Sequence, residues 1–155
     1  FSLIELSIAT AIFSMGVSSF SLLLLLALQG TAESRYQSLA VTQAESLAER
    51  VLMNSDAVGH YIFPADSSPA ACNDTTCSPQ QVAYSDISEW RAMLAQGLPG
   101  GTGVVCRDTS PDDGDVSNAS CDGNGSPVIK VFWDEPVKND GTENSKRLVS
   151  RLPLP

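Results

Sequence analysis

A long apolar run opens the chain. Residues 6–28 are predominantly apolar, and the run exceeds the length of about 20 residues that a helix needs to cross the hydrocarbon core of a membrane. Glu5 is the only charged side chain among the first thirty residues, and the next one is Glu33. The pattern predicts a membrane-spanning helix with one carboxylate near its start.

The helical pattern continues beyond this run. From Arg35 to Asn54 the chain has no proline or glycine, and apolar residues recur every three or four positions, which is the spacing of an amphipathic helix. One near-continuous helix is therefore expected from about Ser2 to about Asp56. Its second half carries an apolar stripe that needs a partner: Tyr36, Leu39, Ala40, Ala44, Leu47, Ala48, Val51 and Leu52.

A shorter helix is expected in the middle of the chain, after a Pro-, Ser- and Asn-rich loop over residues 59–83. In "DISEWRAMLAQGLPGG", Asp86 followed by Glu89 resembles a capping box and predicts the N-cap. Gly97 and the following proline mark the helix end. Four apolar residues fall on one face of this helix: Ile87, Trp90, Leu94 and Leu98.

After this helix, the periodicity of the apolar residues changes to that of β-strands. "TGVVCR", "VIKVFWD" and "RLVSRL" are short segments rich in branched residues, which predicts three antiparallel strands. Asp140–Gly141 is a turn signal between the second and third strands. We expect the sheet to cover the apolar stripe of the long helix. The acidic stretch 108–126, between the first two strands, is expected to be a solvated loop.

These elements predict an α+β fold with a lollipop shape, in which a long helix packs on a small antiparallel three-stranded sheet. Residues 1–30 form the transmembrane half of the helix, and residues 31–58 form its amphipathic half. Residues 59–155 form a globular head pinned by disulfides.

Nearly all of the formal net charge of −9 lies after residue 32. An acidic surface repels nucleic acid phosphates and anionic lipid headgroups, so no nucleic acid partner is expected. The positive charges near the end of the chain form only a loose group, which we interpret as the solvated face of a strand. This group consists of Lys138, Lys146, Arg147 and Arg151.

The four cysteines, Cys72, Cys77, Cys106 and Cys121, form no C-x-x-C pair. An even number of cysteines in a loop-rich body outside the cytosol indicates two disulfides. Of the three possible pairings we favour the nearest-neighbour one, which joins Cys72 to Cys77 and Cys106 to Cys121.

No catalytic, metal or cofactor site is expected. His60 is the only histidine, and we interpret it as a residue of surface packing. No phosphate-binding loop or nucleophile motif occurs. Oxygen ligands for calcium are available on the acidic stretch, but their spacing does not fit the EF-hand pattern: Asp112, Asp113, Asp115 and Asp122.

Glu5 is the strongest candidate functional residue. A carboxylate in a membrane helix costs about 2.5–3.5 kcal/mol even on permissive insertion scales, so it needs a partner or a function. No basic side chain precedes Arg35, about 45 Å away along a helix. The available cations are the Phe1 amine of the same chain and that of a neighbouring copy. In the second case Glu5 sets the register of an assembly, whereas in the first it only caps its own helix.

The segment "FSLIELSIA" resembles the mature N-terminus of type IV pilins and pseudopilins, with Ser2 in place of the commoner threonine. The resemblance implies that a prepilin peptidase cuts before Phe1 and methylates its amine, and that Glu5 is the assembly carboxylate. "SDISEWRAMLAQGLPGGTGVVCR" and the cysteine pair ahead of it are similar to minor pilins of the PilV type.

This resemblance implies a minor pilin that primes assembly or lies at or near the pilus tip. Its implied partners are other minor pilins, the major pilin and, in some pili, a tip adhesin. The implied location is the inner membrane, with a periplasmic head, before assembly and the extracellular pilus afterwards. The alternatives are a minor pseudopilin of a type II secretion system, an anchored binding domain outside this class, and a subunit of competence-type DNA uptake.

Overall fold

One long helix begins the chain in a computed structural model that describes residues 2–62, 76–135 and 145–152. This helix, α1, spans Leu3–Met53, which confirms the continuous helix predicted from the apolar periodicity. The chain divides into two compact units, Phe1–Arg35 and Tyr36–Pro155. The first unit therefore contains the beginning of α1, and the second contains the end of α1 and all the other elements.

Shorter helices follow α1 in the second unit. A 3-10 turn, Ser55–Ala57, leads into the four-residue helix α2, Val58–Tyr61. The next helix, α3, spans Pro79–Gly97. Both helices contain part of the segment predicted as loop, and the prediction was wrong at these residues. Residues 63–75 of that loop lie outside the described residues.

The predicted N-cap of α3 was also wrong. Ser78 caps the helix, because its side chain accepts a hydrogen bond from the Gln81 amide while the Gln81 side chain accepts one from the Ser78 amide. Pro79 occupies the first helical position, where its missing N–H has no cost. This S-P-x-Q sequence is itself a capping box. Asp86 lies inside the helix, and the predicted stop at Gly97 is confirmed.

Three antiparallel strands in the order β1-β2-β3 form the sheet. They span Thr102–Asp108, Ser126–Asp134 and Ser145–Arg151, close to the three segments that the sequence predicts. Together with α1 they confirm the α+β fold. The predicted Asp140–Gly141 turn lies outside the described residues.

The core of the second unit lies between the helices and one face of the sheet. The predicted stripe supplies the α1 side of this core, although Leu52 is 43% exposed and does not contribute. The Trp90 indole N–H of α3 donates to the Gln43 carbonyl of α1 over 3.0 Å. Gly103 in β1 permits a close approach, because a Cβ there would lie 2.3 Å from the Trp90 ring. The central residues of this core are Ala40, Ala44, Leu47, Val51, Ile87, Trp90, Leu94, Val105, Ile129 and Val131.

The opposite face of the sheet is also covered. Val104, Cys106, Val128 and Phe132 form a second buried cluster on this face, and residues of the segment that joins β1 to β2 pack on it. We call this segment, residues 109–125, the covering loop. Its position differs from the sequence interpretation, in which the acidic stretch is only a solvated loop.

Candidate assembly surface

The first unit presents an apolar helix surface. Among the described residues, α1 is the one helix whose length and composition suit a membrane span. Within Leu3–Arg35 its large apolar side chains are exposed in the chain by itself, and Leu3, for example, is 85% exposed. An exposed apolar surface of this extent requires a lipid or protein environment. Its members are Leu3, Ile4, Leu6, Ile8, Ile12, Phe13, Met15, Val17, Phe20, Leu22, Leu23, Leu24, Leu25, Leu26 and Leu28.

The hydroxyl groups on this surface bond to their own helix. The Ser7 hydroxyl donates to the Leu3 carbonyl over 2.9 Å, and the Ser18 hydroxyl donates to the Ser14 carbonyl over 2.8 Å. The same backward bond occurs at the other small hydroxylated residues of the segment, Thr10, Ser14, Ser19 and Ser21. With these donors satisfied, the surface suits close helix–helix contact in an apolar medium.

Glu5 is the charged group of this surface. It lies in the first turn of α1, where its amide donates to the Ser2 carbonyl over 3.1 Å. Between residues 2 and 35, the part of the first unit that the structure describes, no cation lies within ion-pair distance of the Glu5 carboxylate. The amine of Phe1, its predicted partner, lies outside the described residues.

A polar cluster joins α1 to α3 in the second unit. The Arg50 guanidinium contacts Asp86 at 3.2 Å and Glu89 at 2.5 Å. The Tyr61 hydroxyl donates to the other Asp86 oxygen over 2.6 Å, and it accepts a bond from the Asn54 amide group over 3.1 Å. These contacts give Asp86 a tertiary role in place of the predicted capping role.

The cluster changes the acidity of its members. Burial and the bond to Asp86 together raise the pKa of the Tyr61 hydroxyl. The hydrogen bond to Glu89 raises the pKa of Arg50. Because the raised pKa of Tyr61 reflects a favoured neutral form, its contribution to stability is full below about pH 10 and is lost at higher pH.

A buried lysine ties the covering loop to the sheet. Lys130, in the central strand β2, has a fully buried side chain and forms an ion pair with the buried carboxylate of Asp108. Its ammonium also contacts an Asp113 carboxylate oxygen at 3.0 Å and donates to the Ala119 carbonyl over 2.9 Å. The partners come from β1 and from two points of the covering loop, so one side chain holds three segments together.

Further contacts hold the same loop in place. The Arg147 guanidinium of β3 donates to the Gly114 carbonyl over 2.6 Å and also to the Asp112 carbonyl. Val116 and Ala119 pack on the buried apolar cluster of this sheet face. Thus Arg147 is exposed, as predicted for a solvated strand face, and it also binds the covering loop. Lys146 pairs with Glu135 at 3.4 Å, and Lys138 lies outside the described residues.

The cysteines close this loop at its base. Cys106 in β1 is bonded to Cys121, as in the pairing favoured from the sequence. Cys77 is also disulfide-bonded. Its predicted partner, Cys72, lies outside the described residues, so this half of the pairing stays a prediction.

The carboxylates of the covering loop have separate local partners. Asp115 accepts bonds from the Ser117 and Asn118 amides over 2.7 and 2.9 Å. Asp122 accepts bonds from the Thr109 and Asn124 amides. Hydrogen bonds from Lys130, Ser117 and Thr109, respectively, are the main cause of the lowered pKa values of Asp113, Asp115 and Asp122. No group of three or more metal-ligating side chains occurs among the residues that the structure describes.

His60 is exposed, and its ring meets Tyr84 edge to face at 5.9 Å between centroids, which confirms surface packing.

The role of Lys130 was not predicted from the sequence, although a signal was present. Lys130 lies between Ile129 and Val131 in the apolar strand segment "VIKVFWD". Charged residues in such positions are buried only when they are paired, which pointed to a carboxylate nearby.

Comparison with known proteins gives one family match. The family model described as "Tt1218-like: Type IV pilin Tt1218" matches residues 23–88. This match covers the end of the apolar run, the amphipathic half of α1 and the first part of α3. No curated protein and no solved structure matches the chain significantly.

Proposed function

We propose that this type IV pilin is a minor pilin, whose N-terminal helix packs among other subunits with Glu5 as the register-setting charge. The family match supports a pilin-like structural subunit. The PilV-type resemblance of the segment around α3 supports the minor class. Priming of assembly and a place at or near the pilus tip belong to the same proposal.

The observation that carries the proposal is Glu5 on an apolar surface. An unpaired carboxylate in an apolar medium is costly, and between residues 2 and 35 no cation lies within reach of it. The N-terminal amine of a neighbouring subunit offers the missing charge. Because one ion pair forms at one stagger of two helices, the pair selects the register of packing while the apolar surface supplies the attraction.

The proposal has consequences for processing and location. A prepilin peptidase generates Phe1 and methylates its amine, which keeps the positive charge beside Glu5. Before assembly the subunit lies in the inner membrane with its head in the periplasm, where the disulfides form. It then joins other minor pilins and the major pilin, and in some pili it supports a tip adhesin.

The test compares Glu5→Gln with the wild-type chain in cells that assemble surface filaments. We expect the variant to be inserted and folded at the wild-type level but depleted about tenfold or more from the sheared filament fraction, since the loss of one buried ion pair costs more than 1.4 kcal/mol. Immunoblots of the membrane and sheared fractions measure both quantities. Intact mass of the mature protein checks the methylated Phe1 amine.

Glu33→Gln is the matched control, because Glu33 is the next carboxylate of the same helix and lies beyond the apolar run. The control should be incorporated like the wild type. Equal incorporation of the Glu5 variant, or equal loss with both variants, would contradict the role of Glu5. Association only with pseudopilins of a secretion system would overturn the assignment to a pilus in favour of the pseudopilin alternative.

A further inference from the structure

A cleft of about 430 Å³ opens between the covering loop and the first half of β1. The wall on the sheet side consists of Thr102, Gly103, Val104 and Phe132, and residues 115–121 form the opposite wall. Arg91 of α3 completes the lining. This volume lies in the range of small-ligand sites and exceeds what one water molecule or ion would fill.

Arg91 brings a positive charge that the described chain leaves uncompensated. Its Nε donates to the Gly103 carbonyl over 3.1 Å, which fixes the guanidinium at the cleft. No carboxylate of the described residues lies within ion-pair distance of it. The side chain is half-buried, and this burial lowers the pKa of Arg91. A guanidinium removed from water in this way gains most from an anionic partner.

The rest of the lining offers neutral donors. The hydroxyls of Thr102 and Ser120 and the amide group of Asn118 have no acceptor among the described residues. The Asp115 carboxylate also lines the cleft, but its Oδ1 already accepts bonds from the Ser117 amide, the Ser117 hydroxyl and the Asn118 amide. The cleft therefore combines one available cation with several available neutral donors.

We propose that this cleft binds a carboxylate group, with the Arg91 guanidinium as its charged partner and the neighbouring hydroxyl and amide groups as further donors. The planar guanidinium matches a carboxylate with two parallel hydrogen bonds. A monoanion fits better than a dianion such as phosphate, because the cleft has one cation, Asp115 stands in its wall, and the whole chain carries a net charge of −9. The cleft volume leaves room for the group that carries the carboxylate.

This binding site lies outside the proposed assembly surface, and its existence does not depend on the role of Glu5. The carboxylate comes either from a free organic acid or from the end of a peptide chain. Both sources present the same planar anion to Arg91, and they differ in the atoms that occupy the remainder of the cleft.

The experiment is a nuclear magnetic resonance titration of the full isotope-labelled chain in maltoside micelles, which contain no carboxylate or phosphate. The probes are acetate, N-acetylglycine, their uncharged amides acetamide and N-acetylglycinamide, and inorganic phosphate. We expect saturable shifts at the Arg91 Nε–H and at the amides of residues 102–104 and 117–120 with the two carboxylates, and none with the amides. Tighter binding of N-acetylglycine than of acetate assigns a peptide terminus, and the reverse order assigns a free acid.

Arg91→Gln should raise the apparent Kd for the carboxylates by about tenfold or more, and Arg91→Lys by less, because lysine keeps the charge but not the bidentate geometry. Arg151→Gln, which removes an exposed arginine of β3, is the matched control and should leave the Kd unchanged. Equal shifts with the amides, stronger binding of phosphate than of either carboxylate, or an unchanged Kd in Arg91→Gln would each overturn the proposal. An unchanged spectrum outside the cleft verifies that each variant is folded.

Discussion

Single side chains connect segments that are distant in the sequence. Lys130 ties β1, β2 and the covering loop through Asp108, Asp113 and the Ala119 carbonyl. A buried ammonium is stable only with good partners, and removing one member of a buried pair leaves the other uncompensated. The position of the covering loop therefore depends on the Lys130 ammonium group.

Lys130→Met tests this dependence. The variant keeps most of the side-chain volume but leaves the buried Asp108 carboxylate without its cation, and we expect the free energy of unfolding to fall by about 3–5 kcal/mol. Chemical denaturation of the detergent-solubilised chain measures the change. A second replacement, Asp108→Asn in the same chain, should recover part of the loss because the unpaired charge is then absent.

Lys146→Met is the control for this prediction. Lys146 is 43% exposed and pairs with Glu135, and exposed ion pairs contribute about 0–1 kcal/mol. A Lys130 variant no less stable than this control would show that the covering loop does not depend on the buried ion pair.

At the scale of elements, the covering loop is a folded layer whose outer surface is solvated. Its disulfide closes it at the base, its apolar residues cover the second face of the sheet, and Arg147 of β3 binds its backbone. Its aspartates bind local amides and hydroxyls. These bonds are made by the ionised carboxylates, so the order of the loop is linked to pH.

The direction of this linkage follows from the lowered pKa values of Asp113, Asp115 and Asp122. A lowered pKa means that the stabilising contribution is present above the ordinary aspartate pKa of about 3.9 and is lost as the pH falls through the folded value. We expect the Ser117, Asn118 and Asn124 amides to lose protection from hydrogen exchange below about pH 4. Amide exchange measured between neutral and acid pH checks this.

Asp115→Asn provides the internal comparison for the acid titration. At neutral pH this variant should already show faster exchange at Ser117 and Asn118, which bond to Asp115, with Asn124 unchanged because it bonds to Asp122. If the protection of all three amides, relative to their intrinsic exchange rates, changes neither with pH nor with this substitution, the carboxylates do not order the loop.

For the whole molecule, the proposed function gives the two compact units different tasks. The unit Phe1–Arg35 contains the apolar helix surface, and the unit Tyr36–Pro155 contains both buried clusters and the cleft. Since the core residues lie in the second unit, we expect the fold of that unit not to depend on the sequence of the membrane helix. Assembly in our proposal does require one.

Replacement of residues 1–30 by an unrelated single-pass helix separates these tasks. We expect the hybrid to insert and to retain its folded head with the Cys106–Cys121 bond, but to be missing from sheared filaments, because both the packing surface and Glu5 are lost. Near-ultraviolet circular dichroism and the sheared-fraction immunoblot measure the two properties. Incorporation of the hybrid at the wild-type level would favour an anchored binding domain.

Short-range sequence patterns were sufficient to predict α1, the end of α3 and the three strands. The three-and-four periodicity of α1, the stop at Gly97 and the branched segments of the sheet predicted helices and strands, because helix and strand periods depend on local backbone geometry. The helix α3 was misplaced at its start because the composition of residues 59–83 favoured a loop, although Ser78 and Gln81 carry a capping signal. Glu5 is a candidate functional residue because a carboxylate in an apolar run is costly without a partner, and its role stays a prediction.

Local patterns do not encode the contacts between distant segments. The apolar helix with its one carboxylate, the amphipathic stripe and the three-stranded sheet could be predicted from the sequence, because they follow from periodicity and the cost of exposing apolar surface. Only the folded chain brings Asp113 to Lys130, Asp86 to Arg50 and the covering loop to Arg91. The physical reason is that an ion pair depends on distance in space, which the spacing of residues along the chain does not specify.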